Sequence, residues 1–581
     1  MSALFLLVSC FIILMYLGGR MNQQIYLLKK FMLLVLILSI SSSVQAVKIW
    51  QPLGPSPVYG GQPENIPNKP QVGAINAIAP HPTNANILYV ATVAGGIWKT
   101  ENALDPEPSW LPLTDVTQPP FFDPQESLST SDVAIDMFDV ADFSTLVASF
   151  GRYSSFNNNG GYRMGIIRSI DHGETWTKIS GTSGVIMDGK NINSVKPYNG
   201  TILAAVDAAD INACNQLGIF ATANTGETWF HLGSANGIIQ GRATALEADP
   251  ITAGTYYAGI NKIDCGGAQS GIYKTTDFGL NWSLINDVAI NSLLNTPSCI
   301  AQNDYVISVG RQNNVYAGII CRDSGRGRLS GVFRSGNGGA SWTQMALPGT
   351  TEFNGFQGIH PGGQGFLHRS IVADPINSNI VYIGGDRQPS IPSTLGNLDF
   401  SGRIFRGDAS LSSGLQWSPL THSGTASNSS THADSRDMMF DANGTLLEVD
   451  DGGIYRMLAP RTSTSDWISV NGNMQHSEIH SSDYDSNTNT TIAGFQDNGV
   501  AGQSFLAEKK WNLLQGGDGG DVAVDNKSLA AQNKSIRYMS SQELGGFNRR
   551  TFNQNNQIET FININPTVIN GGNPLVPAFL T

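Results

Sequence analysis

Three short stretches carry residues able to do chemistry: Asp450-Asp451-Gly452-Gly453, Gln496-Asp497-Asn498-Gly499 and Gly517-Asp518-Gly519-Gly520. Each sets a carboxylate beside glycines, and glycine permits tight turns and close backbone approach. Asp207, Asp210, Asp264, Asp323 and Asp386 also fall in or beside turns between successive strands, and Asp521 follows Asp518. Carboxylates gathered at one mouth bind sugar hydroxyls or a cation, or supply a general acid and base. Two that flank a glycosidic bond suffice for its hydrolysis. The competing reading is structural, because an Asp side chain bonds its own backbone two residues on and so recurs in turns. Asp450 and Asp451 are the catalytic candidates, and Asp451, Asp497 and Asp518 the ligand-binding ones. Calcium at Asp450 and Asp451 is the one cation suggested, without the spaced oxygen ligands of a calcium loop; no metal or other cofactor is expected. His432-Ala433-Asp434 reads as a surface pair. His476 and His480 are four apart, but in strand-rich surroundings they share no helix face.

The elements that must position these residues form a repeat. Gly165-Ile166-Ile167-Arg168-Ser169-Ile170-Asp171-His172-Gly173-Glu174-Thr175-Trp176 reads as strand, tight turn, strand. The same grammar returns with Asn224 and Trp229, with Asp277 and Trp282, and with Asn337 and Trp342. Trp followed three residues on by an apolar residue recurs at Trp50, Trp110, Trp417, Trp467 and Trp511. Before each hairpin comes a β-branched run and then a Tyr-bearing one, as in Ile87-Leu88-Tyr89-Val90-Ala91. Each unit is therefore four short strands. Units at this spacing predict an all-β, multi-bladed β-propeller. About nine blades are present, starting near Val72, Val133, Ile192, Ala243, Ile300, Ser370, Met438, Ile479 and Val522. Trp50–Leu53 reads as an orphan fourth strand suited to closing the ring onto a later blade. Leu575–Thr581 reads as an inner strand that stops, as in a chain truncated at its C-terminus.

A Ser/Thr-x-Asp/Asn-x-Gly-x-Thr/Ser-Trp hairpin is the Asp box, or BNR repeat, and the chain resembles proteins that carry it. Asn281 stands where Thr or Ser is usual. The resemblance implies that Asp171, Asn224, Asp277 and Asn337, with Trp176, Trp229, Trp282 and Trp342, are structural. Among Asp-box proteins, residues 47–581 resemble bacterial sortilin-like and xyloglucanase-like propellers, through Thr92-Val93-Ala94-Gly95-Gly96-Ile97-Trp98-Lys99 and the three acidic stretches. It implies either one large ring or a seven-bladed ring with part of a second. In xyloglucanases the first blade carries a catalytic Asp in Thr-Asp-x-Gly-Gly; here that position is Val93. Asp450 or Asp451 matches the second carboxylate. Sialidases use an arginine cluster, for which Arg152, Arg163, Arg242, Arg311 and Arg369 are available, but none lies in an Arg-Ile-Pro start. The missing Asp favours an exported propeller that binds a glycan or protein ligand on its acidic face. The alternative is a glycoside hydrolase, xyloglucanase-like or sialidase-like, with a divergent catalytic set.

Composition agrees with many strands and tight turns, for only 14% of the 581 residues are charged and 64 are Gly. A net charge of −12 opposes nucleic-acid binding, which draws on excess Lys and Arg. At the N-terminus, Lys29 and Lys30 precede the apolar run Phe31–Ile40, and Val44-Gln45-Ala46 completes a signal-peptide pattern. Residues 1–46 are thus read as a signal region, with a natural start at Met21 and cleavage after Ala46. A retained apolar segment would instead anchor the protein in a membrane. The body is expected outside the cytoplasm: periplasmic, cell-surface or secreted. There the expected disulfides are Cys214–Cys265 and Cys299–Cys321, with free buried thiols as the alternative.

Overall fold

The computed structural model describes residues 51–114, 128–151, 153–154, 162–209, 214–262, 269–391, 393–396, 400–462 and 464–564. Two compact units are distinguished, Met1–Pro52 and Leu53–Thr581. Gln51 and Pro52 are the described part of the first, and everything below concerns the second. The signal-region residues, Trp50, Arg152, Asp210, Asp264, Cys265 and Leu575–Thr581 lie outside the described residues.

Among the described residues the chain folds into nine successive blades, each of four antiparallel strands, the eighth with a fifth strand added in parallel. In the first, Ile75–Pro80, Leu88–Thr92, Gly96–Thr100 and Trp110–Pro112 pair in sequence order. The inner strands of the others are Thr130–Ile135, Lys190–Tyr198, Arg242–Ala248, Asn303–Val309, Ser370–Ala373, Asp437–Phe440, Ile479–Asp485 and Gly519–Asp525. Inner strands of the first seven blades touch one another in order, and Asp437–Phe440 packs back on Ile75–Pro80. Seven blades therefore close a ring. The Ile78 N–H donates to Asp437 Oδ2 at 3.1 Å across the closure. Val72, Ile75, Trp98 and Trp110 share one buried core with Leu447, Val449, Ile454 and Met474. The eighth and ninth blades pack on each other.

The Asp boxes show why the repeat needs those residues. Asp171 Oδ1 accepts from Ser169 Oγ at 2.7 Å and from the Thr175 N–H at 2.9 Å, while the Gly173 N–H donates to Ser169 Oγ. Asn224, Asp277 and Asn337 repeat the network. Asn281 fills the Thr place by donating its side-chain amide to Asp277 Oδ2 at 2.7 Å. The glycine after the acid has φ near 90°, and at Gly226 a Cβ would meet the Ile179 carbonyl at 2.4 Å; only Gly fits. Trp176, Trp229, Trp282 and Trp342 are all buried. Trp229 donates its indole N–H to the Ile179 carbonyl and Trp342 to that of Ile285, each the end of the preceding blade. In these two the tryptophan satisfies its one polar group across the seam between blades, whereas Trp282 donates to Gly279 of its own turn.

The fifth blade's inner strand starts at Asn303, close to the expected Ile300, but Ile300 itself is not in it: it lies in the helix Pro297–Ala301, which follows the helix Val288–Leu294. Asp287 caps the first of these helices by accepting from the Ile290 N–H, and Pro297 opens the second. Contrary to expectation, Leu53 is not part of a strand. Its carbonyl accepts from the Trp511 indole at 3.0 Å. The strand that attaches is Val58–Tyr59, parallel to Trp511–Asn512 on the outer edge of the eighth blade. A disulfide joins Cys299 to Cys321, with Cα atoms 4.6 Å apart, and Cys214 is also disulfide-bonded. Disulfides fit an extracellular protein. No helix among the described residues is long and apolar enough to cross a membrane.

Candidate functional site

Antiparallel order places the Asp-box turns, between third and fourth strands, at one end of each blade. Turns between second and third strands, and the links between blades, fall at the other end. Asp451 occupies the turn at Asp450↔Gly453 of the seventh blade, and Asp497 the turn at Phe495↔Gly499 of the eighth. Asp518 lies just before the inner strand of the ninth. The eighth blade's turn rests against the seventh's: Asn498 Nδ2 donates to the Asp451 carbonyl, and Gln71 Nε2 to that of Asn498, both at 2.9 Å. Asp497 therefore feels the charges of Asp451, Asp518 and Asp434. The structure brings Asp451, Asp497 and Asp518 to one place and leaves Asp171 and Asp277 at the opposite end of their blades.

Asp451 is fully buried, and its Oδ1 accepts from Arg436 Nε. Burial works against the Arg436 charge, but Asp451 outweighs it and raises the guanidinium pKa. The guanidinium also donates to Asn76 Oδ1 and the Tyr153 carbonyl, at 2.8 and 2.7 Å, which fixes its position. Around this pair stand His368, Asp434 and Glu478. His368 Nε2 is 3.7 Å from Asp434 Oδ1, and Nδ1 is 4.0 Å from Asp451 Oδ2. Burial lowers the His368 pKa to about 4 against the opposing pull of Asp451, so the ring is neutral at pH 7. Burial, then the charges of Asp451 and Asp386, hold Asp434 well above the usual carboxylate range. Burial and then Asp451 do the same to Asp497. Glu478 is pushed up to about 7, by burial first. Asp434 and Asp497 both have left-handed backbone, with φ of 73° and 57°, which Asp tolerates better than most residues.

The remaining candidates have other surroundings. Asp450 is fully buried and accepts from the Gly452 N–H at 2.8 Å; burial and the neighbouring Glu448 raise its pKa well above normal. Asp386 is consumed by the N–H groups of Gly362, Gln364 and Arg387. Asp207 accepts from Asn191 and Tyr153. Asp323 is exposed beside Arg328. Arg242 and Arg369 meet at Asp304, at 3.4 and 3.5 Å, and Arg163 is buried. Val93 is buried, with its N–H donating to the Ala74 carbonyl. His432-Ala433-Asp434 is not a surface pair: His432 is 1% exposed and turns to the Ala433 carbonyl, while Asp434 turns to His368. His480 Nδ1 donates to the Gly519 carbonyl, and His476 Nε2 to that of Ala74. Sequence reasoning missed His368, Arg436 and Glu478.

Beneath this mouth the inner strands of the ring line a cavity of about 280 Å³. Its charged walls include Asp132, Lys196, Glu247 and Asp437, with Lys196 Nζ 3.4 Å from Glu247.

No family model matches the chain. A probable oligoxyloglucan-reducing end-specific xyloglucanase of Neosartorya fischeri is 30% identical over 222 residues, 37% of this chain and 24% of its own length. The corresponding enzyme of Emericella nidulans is 27% identical over the same shares. The chain thus spans about a quarter of the length of these relatives. Among solved structures, a GH74 enzyme from Niastella koreensis matches with a TM-score of 0.56 at 18% identity, covering 89% of this chain and 68% of that one. The GH74 xyloglucanase from Xanthomonas campestris matches with a TM-score of 0.52 at 14% identity, covering 88% and 76%. What the chain shares with these enzymes is the fold, a β-propeller of the GH74 type.

Proposed function

We propose that this is an exported propeller that binds a glycan, of the xyloglucan-oligosaccharide class, in the acidic mouth between the seven-bladed ring and the eighth blade. The observation that supports the reading is a GH74-type fold with an apolar residue at the first-blade position. Val93, apolar and buried, stands where the resemblance implies a catalytic Asp, and Asp450 is fully buried with one carboxylate oxygen bonded to its own turn. Asp434, Asp451, Asp497 and Asp518 nevertheless converge at the mouth, with Arg436 among them. Carboxylates and a fixed guanidinium offer acceptors and donors to sugar hydroxyls without an acid and base aligned for cleavage. Calorimetric titration of the purified chain with xyloglucan oligosaccharides tests this. Saturable binding is expected, lost in Asp497→Asn/Asp518→Asn, whose half-buried side chains can be changed without breaking the buried Arg436–Asp451 pair, with the melting temperature nearly unchanged. Release of reducing sugar by the native chain, abolished in that variant, would replace binding with hydrolysis. Failure to bind any glycan while a peptide panel binds would move the ligand to protein.

A further inference from the structure

The His368 side chain has no part in the glycan reading, and its surroundings ask for an occupant. It is fully buried, and neither ring nitrogen has a hydrogen-bond partner. Nε2 faces Asp434 Oδ1 at 3.7 Å and Nδ1 faces Asp451 Oδ2 at 4.0 Å. One donor atom from each of His368, Asp434 and Asp451 lies within 4.8 Å of the other two. Asp434 Oδ1 likewise has no hydrogen-bond partner, nor has Asp497 Oδ2. These separations exceed a hydrogen bond and approach the distance between ligands of one ion. Donors about 2.1 Å from a shared metal stand roughly 3–4 Å apart, so one ring nitrogen of His368 and the two carboxylates must draw together by up to about 1 Å to complete the set.

We propose that His368, Asp434 and Asp451 hold a divalent first-row transition-metal ion at the mouth of the ring. The donor chemistry selects the class. Calcium and magnesium favour all-oxygen sites, whereas a neutral imidazole with carboxylates suits zinc or manganese. Three protein ligands leave positions open for water or a sugar hydroxyl. The charge balance agrees, because Arg436 is the cation held against Asp451 while Asp434, Asp497 and Asp518 crowd the same mouth. Arg436 engages Asp451 Oδ1 and leaves Oδ2 turned toward His368, so it orients the ligand. The ligands come from three separate segments: the link before the sixth blade, the link before the seventh, and the seventh blade's own turn. Metal binding would therefore tie neighbouring blades together.

The site goes beyond the glycan reading and is tested without it. The purified chain is stripped with chelator, dialysed against zinc, manganese or calcium, and its metal content measured. One equivalent of zinc or manganese per chain is expected, with a raised melting temperature. Bound manganese should show electron–nuclear coupling to one imidazole nitrogen. His368→Ala should abolish that coupling and weaken binding by at least about tenfold. Asp434→Asn, at a partly exposed side chain, should weaken it similarly and serves if His368→Ala does not fold. Stoichiometric uptake lost in these variants supports the site. Absence of zinc and manganese uptake by the native chain, or uptake unchanged in both variants, overturns it. Calcium uptake indifferent to His368→Ala overturns the histidine ligand.

Discussion

Asp277 bonds the Thr275 hydroxyl, the Asn281 N–H and the Asn281 side-chain amide, so its carboxylate has little capacity left for a ligand. Asp277→Ala should lower stability by about 1 kcal/mol in urea melts and leave glycan affinity unchanged. Trp229→Ala opens a cavity at a seam and removes the bond to Ile179; about 3–5 kcal/mol is expected. Asp437 makes a different prediction. Burial raises its pKa from 3.8 to about 7. The folded chain thus holds a proton that the unfolded chain releases near pH 4, and stability falls as pH rises from about 4 to 7. Asp437→Asn should flatten that slope and raise the melting temperature above pH 7, as scanning calorimetry at several pH values would show. The Asp boxes were legible because every partner lies within a few residues of the acid. His368 was not, because Asp434 and Asp451 stand more than sixty residues further along and only the packing of the sixth blade on the seventh brings them near.

A blade is legible when its four strands follow one another closely. The Trp-bearing fourth strand and the Gly-Ile-aromatic third strand carry fixed spacings, so these hairpins were read from sequence. The fifth blade hid its start behind two short helices. Their signals were present in Asp287 and in Pro297, but the apolar residues around Ile300 mimic a strand. The helices are held to the blade by the Cys299–Cys321 disulfide, since Cys299 lies on the second helix and Cys321 on the blade's second strand. The cysteines are 22 residues apart, a loop whose closure entropy is worth about 3 kcal/mol. Replacing both with Ser should lower denaturant stability by about that amount, and proteolysis should then begin within residues 288–301. The attaching strand Val58–Tyr59 was legible only in kind. A segment before the first blade had to pair somewhere; the strand that does so is Val58–Tyr59, where Val58 also exchanges backbone hydrogen bonds with Gln71.

At the scale of the whole molecule, the mouth exists because two bodies of blades meet there. Asn498 and Gln71 bridge them, and Gln71 is nearly fully buried. Gln71→Ala leaves the Asn498 carbonyl short of a donor. It should cost about 1–3 kcal/mol and weaken glycan binding at a site the substitution does not touch, as parallel melting and titration would show. The parallel strand Val58–Tyr59 has a consequence for how the chain matures. It leaves the ribosome, or any translocation pore, before any blade, yet its partner Trp511–Asn512 emerges some 450 residues later. Ring closure through Ile78 and Asp437 spans a comparable stretch. Contacts so distant in sequence form slowly. For most of synthesis the early blades present open strand edges, which are templates for aggregation. The newborn chain is therefore a natural client for a holding chaperone until its eighth blade arrives.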